Sequence, residues 1–413
     1  MSKESFLHVP YGKAVYGEEE IEKVISVLRS STQMGKHVRE MEQETAVLFN
    51  KKHGIMVNSG SSANYLTIEI LNLPAESEVI TPILTFSTTV APLVKNNLIP
   101  AFVDVEPGTF NIDANQVEAM ITSKTKALMI PNLLGNLPDW KKLREIADRH
   151  NLVVIEDSAD TLGATIDGLP VGRFSDISTT SFYGSHVVTC AGNGGMLCVN
   201  DALLANRAKL LRSWGRSSSL FIESEAIENR FNVKIDEISY DAKFVFEALG
   251  YNLEPSEMGA AFGLVQLSKL DKNINLREKA FKQHIEFFEQ YQDWFILPKQ
   301  LPNSKTGWLA FALTVKDSAP FKRTDLQIFL EKRNIQTRTV FTGNILRQPG
   351  FKHIKHKKSP NDYPIADHVM RGGILIACHN GLTEPMIKHL HDSFDLFVET
   401  HVKSSTSKTT VVS

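Results

Sequence analysis

Between residues 54 and 155, short apolar runs alternate with helical patterns at a regular spacing that few folds accommodate. Gly54-Ile-Met-Val57, Glu78-Val-Ile-Thr81, Ile99-Pro-Ala-Phe-Val-Asp104, Ala127-Leu-Met-Ile-Pro131 and Leu152-Val-Val-Ile155 read as strands. Helical spacing fills the gaps: through Leu71, then over Phe86–Lys95, Ala114–Thr122 and Trp140–Asn151. Such alternation predicts an α/β fold with a mainly parallel sheet and helices on both faces, because parallel neighbours need a crossover between them. Ligands on such sheets sit outside the carboxyl ends of the strands. Three segments fall there: Asn58-Ser-Gly-Ser-Ser-Ala-Asn64, Asp157, and Ser181-Phe-Tyr-Gly-Ser-His-Val-Val-Thr189 running on to Gly195.

Elsewhere the pattern is simpler. Residues 1–17 are irregular, and helices are expected from Glu18 to Leu28 and from Val38 to Asn50. Another helix runs from Ala202 to Trp214, followed by a polar, charged insertion over 215–248. A long helix from Lys269 to Trp294 joins a small C-terminal α+β domain with strands at Trp308–Val315 and Gly373–Ala377 and helices at Arg323–Arg333 and Glu384–Val398. The expected division is a large domain over 1–268, a linker helix and small domain over 269–403, and a disordered tail over 404–413.

Composition removes several function classes. The 413 residues carry a formal charge of −2 and no basic run suited to nucleic acid; His353-Ile-Lys-His-Lys-Lys358 reads as a solvated loop. No apolar stretch reaches the roughly 18 residues that span a bilayer. Three cysteines make no disulfide framework, and the polar Met1-Ser-Lys-Glu-Ser5 has no signal-peptide core, so a cytoplasmic protein is expected.

The three segments carry the chemistry. A strand, a Gly/Ser turn and a helix aim free backbone N–H groups at an anion, with Gly60 permitting the turn and Ser61 and Ser62 adding hydroxyls. The same residues also suit an ordinary serine N-cap. A hydrolytic triad is disfavoured by the lack of a Gly-x-Ser-x-Gly elbow. A metal site is disfavoured because His186, Asp157 and Asp160 lack a ligand spacing. A pyridoxal-type cofactor fits better, since it needs a phosphate cradle, a carboxylate at its ring nitrogen, and a lysine or base near C4′.

From about Gly17 to Leu382 the chain resembles the DegT/DnrJ/EryC1/StrS sugar aminotransferases and dehydrases, fold type I of the pyridoxal-phosphate enzymes. The resemblance lies in Asn58-Ser-Gly-Ser-Ser-Ala63, Thr81-Pro-Ile-Leu-Thr-Phe86, Val103-Asp-Val-Glu-Pro107 and Ile155-Glu-Asp-Ser-Ala-Asp-Thr-Leu-Gly163. It continues through Ser181-Phe-Tyr-Gly-Ser-His186, Gly194-Gly195, Gly250-Tyr-Asn-Leu253, Ala260–Leu267 and Gly343-Asn-Ile-Leu-Arg-Gln-Pro349. It implies that Gly60, Ser61, Ser62 and Ser181 hold the phosphate, that Phe86 stacks on the pyridine ring, and that Asp157 pairs with the ring nitrogen. It also implies a homodimer with shared active sites, Asn252 reaching the neighbouring subunit's phosphate. Turn formation by Asn252 and core packing by Phe86 are the structural alternatives.

One departure decides the branch. Where the family's aminotransferases carry the Schiff-base lysine, this chain has His186, and no lysine occurs from 143 to 208. The resemblance then implies the 3-dehydrase branch, with noncovalent pyridoxamine phosphate and His186 as general base on a nucleotide-linked 4-keto-6-deoxyhexose. Asp160, where aminotransferases usually have Gln, agrees. A non-catalytic paralogue is the alternative for His186. The iron–sulfur dehydrase subtype has cysteines where this chain has Ala159, Ser217 and Ser219, so no [2Fe–2S] cluster is expected. Glutamate would then regenerate the amine, although the insertion at 215–248 resembles the iron-type branch, which works with a reductase partner. Arg338 and Arg347 are candidates for substrate phosphate or the glutamate carboxylate, or for surface ion pairs. His379 departs from the usual dehydrase pattern and is a candidate sugar contact or a loop histidine. Cys190 and Cys198 read as buried core.

Overall fold

The computed structural model describes residues 6–221 and 226–406. Its main sheet is built from β1 (His53–Val57), β2 (Glu78–Pro82), β3 (Ile99–Val103), β4 (Thr125–Pro131), β5 (Val153–Ser158), β6 (Ile177–Ser181) and β7 (Gly195–Val199). They lie in the order β1-β7-β6-β5-β4-β2-β3, with β7 alone running against the rest. The central strands are apolar almost throughout (β4 is Thr-Lys-Ala-Leu-Met-Ile-Pro), as a sheet covered on both faces requires. Helices α1 (Glu18–Leu28), α2 (Lys36–Leu48), α3 (Gly60–Leu71), α4 (Ser87–Lys95), α5 (Trp140–His150), α6 (Ala202–Arg212) and α7 (Glu257–Ser268) accompany this sheet.

Strand register sets the place of the site. Val57 at the end of β1 and Ser181 at the end of β6 both pair with Gly195, from opposite sides. The two following turns therefore emerge side by side, and a Cβ on Gly195 would stand 2.3 Å from the Ser59 carbonyl carbon. Asp157 pairs with Thr179 on one flank and Pro131 on the other, one step behind the same edge.

Helix α8 (Leu270–Phe288) leads into an antiparallel sheet of β8 (Phe295–Ile296), β9 (Ala310–Val315), β10 (Arg338–Thr339) and β11 (Gly373–Ala377), ordered β8-β9-β11-β10. With α9 (Arg323–Lys332), α10 (Pro364–Gly372) and α11 (Glu384–Thr406) it encloses an aromatic core that includes Phe281, Phe288, Phe311 and Phe394. Two sequence expectations change here. The first three residues of the expected disordered tail, 404–406, belong to α11, while 407–413 lie outside the described residues. The insertion at 215–248 also carries apolar residues turned outward: Ile238, Phe244 and Phe246 are 63%, 59% and 58% exposed, because a hairpin and single turns leave them no core to enter. Residues 222–225 of that insertion lie outside the described residues.

The N-terminal segment is more ordered than its sequence suggests. Val9 bonds to Asn334 and Gln336 through its backbone (3.0 and 2.9 Å), which straps residues 6–16 across the C-terminal part of the chain. No helix of the described residues is long and apolar enough to cross a membrane.

Candidate active site

A cavity of about 480 Å³ opens at the carboxyl ends of β1, β4, β5 and β6. The strap closes one side with Tyr11, and Leu309 and Phe341 from the C-terminal part close another. No lysine is among its lining residues.

Asp157 forms the floor. Its Oδ2 accepts from Asn64 Nδ2 and Thr89 Oγ1, both at 2.8 Å, and its Oδ1 accepts from the Ala159 N–H at 3.2 Å. Thr179 Oγ1 donates to Asn64 Oδ1 at 2.6 Å, which turns the amide NH₂ toward Asp157. Burial raises the Asp157 pKa against the pull of these bonds. A buried carboxylate rich in donors and without a cation is a ready counter-ion for a protonated ring nitrogen.

The β1–α3 turn supplies the anion end. Ser59 caps α3, its Oγ accepting from Ser62 N at 3.1 Å. The first-turn N–H groups of Gly60 and Ser61 have no intrahelical acceptor, the situation that makes helix N-termini bind phosphate. A Cβ on Gly60 would lie 2.5 Å from the Ser181 Cβ, so glycine alone lets the two loops meet here. Ser61 and Ser181 line the cavity, and Phe86, the N-cap of α4, presents a half-exposed ring to it. This constellation fits a pyridoxal-type group: carboxylate below, ring face at the side, N–H donors at one end.

His186 lines the same cavity. Its Nδ1 lies 3.1 Å from the Ser181 carbonyl oxygen, which only accepts, so Nδ1 carries the proton and Nε2 is the free lone pair. Nε2 stands 3.8 Å from Asp160 Oδ1. Burial, then the Arg277 charge, holds the imidazole pKa down to about 4 despite the Ser181 bond. Asp160 is pushed up to about 7, chiefly by burial, with Asp157 adding to it. Its other oxygen accepts from the Leu134 N–H at 2.9 Å, an N–H aimed by a left-handed Leu134 at φ 62°. Both side chains are thus driven toward their neutral forms.

The structure gathers Gly60, Ser61, Phe86, Asp157, Asp160, Ser181 and His186 around one cavity. Five other candidates do not line it. Ser62 turns into its own loop, donating to Asn58 Oδ1 at 2.6 Å. Asn252 bridges to Ser213 and its Oδ1 accepts from Glu254 N. Arg338 lies with its guanidinium 5.5 Å from the Tyr11 ring centroid, and Arg347 is held by both oxygens of Asp367 (2.6 and 2.5 Å). His379 is buried with both nitrogens engaged, Nε2 donating to Pro10 O and Nδ1 accepting from Gly381 N. Tyr11, Asn64, Thr89 and Tyr183 also line the cavity; Asn64 and Tyr183 lie within the two segments singled out in the sequence, whereas Tyr11 and Thr89 carry no local sequence signal. Cys190, Cys198 and Cys378 are free and buried. No group of three or more metal-ligating side chains occurs among the described residues.

A family model for the DegT/DnrJ/EryC1/StrS aminotransferase family matches residues 15–395. The chain belongs to this family. It is 34% identical to dTDP-4-dehydro-2,6-dideoxy-D-glucose 3-dehydratase of Saccharopolyspora spinosa, over 94% of this chain and 86% of that protein. It is 29% identical to GDP-perosamine synthase of Caulobacter vibrioides, over 88% of this chain and 90% of that one. The solved structure of E. coli GDP-4-keto-6-deoxy-D-mannose-3-dehydratase with bound hydrated PLP matches with a TM-score of 0.84 at 27% identity, covering 94% of this chain and 99% of that chain. The protein is an enzyme of this pyridoxal-phosphate-dependent, sugar-modifying family.

Proposed function

We propose that the enzyme removes the C3 hydroxyl of a nucleotide-linked 4-keto-6-deoxyhexose, using noncovalently held pyridoxamine phosphate. The observation that carries this reading is His186 at the lysine position, its Nδ1 tied to Ser181 and its Nε2 free toward a cavity without lysine. Pyridoxamine phosphate supplies, when bound, an amine for the C4 ketone and a ring that accepts the electrons freed at C4′. Asp157 would hold the ring nitrogen protonated, and the Gly60 and Ser61 N–H groups with Ser181 would hold the phosphate. With the cofactor bound, His186 Nε2 would take a proton at C4′, the neutral ring being the form that can accept one. The same nitrogen, once protonated, would deliver that proton to the departing hydroxyl, and Asp160 Oδ1 faces it at 3.8 Å.

Incubating the full-length chain with pyridoxamine phosphate, glutamate and a GDP-, CDP- or dTDP-linked 4-keto-6-deoxyhexose should yield the 3-deoxy ketosugar, with 2-oxoglutarate from restored amine. Formation of a 4-amino sugar instead, or a borohydride-stable cofactor–lysine adduct in the wild type, would favour the aminotransferase reading that perosamine-synthase relatives raise. No turnover of any such sugar, with or without an added reductase, would favour a silent binding protein. Ala159, Ser217 and Ser219 favour the glutamate route over an iron-cluster route.

We further read the enzyme as a homodimer. Asn252 is exposed, as are Phe244 and Phe246 a few residues before it in the chain, and the neighbouring Tyr251 hydroxyl lies 3.2 Å from that of Tyr65. Sedimentation of the loaded chain should give two copies per particle. Full turnover by a monomer would remove any role for Asn252 in a neighbouring site.

A further inference from the structure

Arg277 sits mid-way along α8 and is fully buried. Its Nη1 donates to the Trp308 carbonyl at 2.8 Å; its Nη2 donates to the carbonyls of Ser185 and His186 at 3.3 and 3.2 Å. Among the described residues no carboxylate pairs with it, the acidic groups beside it being the Cys378 thiol and the Tyr11 phenol, and its Nε has no hydrogen-bond partner. A buried guanidinium without a counter-ion is expensive, and cores do not keep one where an apolar side chain would pack as well. Its hydrogen bonds go to carbonyl oxygens, and two of the three belong to the peptides on either side of the His186 Cα.

We infer that Arg277 is a positioning residue for His186, its planar fork tying the backbone at 185–186 to the Trp308 peptide so that Nε2 stays aimed into the cavity. The inference rests on the reading of His186 as base. His186 is then held at its ring by one bond and at its backbone by two sets. Nδ1 bonds to Ser181 O on β6, the His186 N–H bonds to Tyr183 O at 3.0 Å, and the flanking carbonyls bond to Arg277. The strap adds a fourth restraint, because Gly12 packs so closely on Ser185 that a Cβ there would come within 2.8 Å of its side chain. A lysine could keep the charge but could not span both carbonyl sets, since its single nitrogen lacks the fork.

Charge acts in the same direction. Asp160, Tyr183 and Tyr11 share the cavity wall with His186, and Arg277 faces it from behind. Among these groups only Arg277 is held permanently cationic by its chemistry. Its field opposes protonation of His186 and of the buried His379, and favours ionisation of Tyr11 and Cys378. Burial is the larger cause of the neutral ring, and the guanidinium adds to it in the same direction.

The test uses the full-length chain labelled with ¹⁵N-histidine, with and without pyridoxamine phosphate. Among its 13 histidines, the His186 signals are identified by their loss in His186→Asn. The wild-type ring should show a single Nδ1–H tautomer. In Arg277→Lys that tautomer should become mixed, and kcat should fall roughly tenfold to a hundredfold with KM little changed, as expected for a displaced catalytic group. Arg277→Met should show the same loss together with an upward shift of the His186 titration. Arg277→Lys with wild-type kcat and a wild-type ring spectrum overturns the inference, as does a folded Arg277→Met whose His186 spectrum is unchanged. Failure of both variants to fold would make Arg277 a plain structural residue and also overturn it. If the wild type proves not to dehydrate any nucleotide sugar, the function reading fails, and the ring spectra alone still decide the link between Arg277 and His186.

Discussion

Replacing His186 by lysine is expected to abolish C3 dehydration and to leave the chain with a covalently attached cofactor that absorbs in the visible and is fixed by borohydride. The amine would enter where Nε2 now faces the cavity, beside Ser181 and Asp160. His186→Asn should retain the fold and lose roughly 10²- to 10⁴-fold in kcat, the usual contribution of a positioned general base. Full dehydration by the lysine variant would show that another group takes the proton. The pH profile carries a second check. A base whose pKa is lowered stays unprotonated further into acid, so the acid limb due to His186 should lie near its depressed value of about 4. A limb due to His186 at the ordinary imidazole value, removed in His186→Asn, would show that the ring is solvated in the working enzyme.

The second large effect is expected at Asp157. In Asp157→Asn the side chain keeps its shape, and the cavity floor loses its negative charge. Affinity for pyridoxamine phosphate should weaken by about 30-fold or more, since removing one partner of a buried charge pair costs on the order of 2–5 kcal/mol. The unloaded protein should lose a smaller amount, about 1–3 kcal/mol, because the asparagine NH₂ would face one of the buried donors that the carboxylate now accepts from. Melting temperatures with and without cofactor separate these effects. A wild-type cofactor-induced rise in Asp157→Asn would mean that the ring nitrogen finds its partner elsewhere.

Much of this was legible in the chain. Parallel strands covered on both faces are nearly continuous apolar runs, so Ala127–Pro131 and Leu152–Ile155 stand out, and the carboxyl-end rule points to Asn58–Ser62, Asp157 and the segment that holds His186. Local turn chemistry did the same for Gly60. Side-chain direction was not legible. Ser62 sits beside Ser61, yet it turns back to Asn58 while Ser61 lines the cavity. Arg347 is one of a few arginines near a glycine turn, and only the position of Asp367 twenty residues on shows that its fork is already filled. Tyr11 belongs to a segment with no periodicity, because a strap bound to another element's edge needs no pattern of its own.

The sequence by itself determined the fold class, the family, and the replacement of a lysine by His186, because these depend on residue type and order. Tertiary structure decided which of that histidine's nitrogens is free. A carbonyl five residues away takes Nδ1, a carboxylate from the next strand faces Nε2, and an arginine 91 residues on holds the backbone between them. Tautomer, direction and charge state belong to groups brought together from β5, β6 and α8, and contacts between such distant segments exist only once the chain has closed.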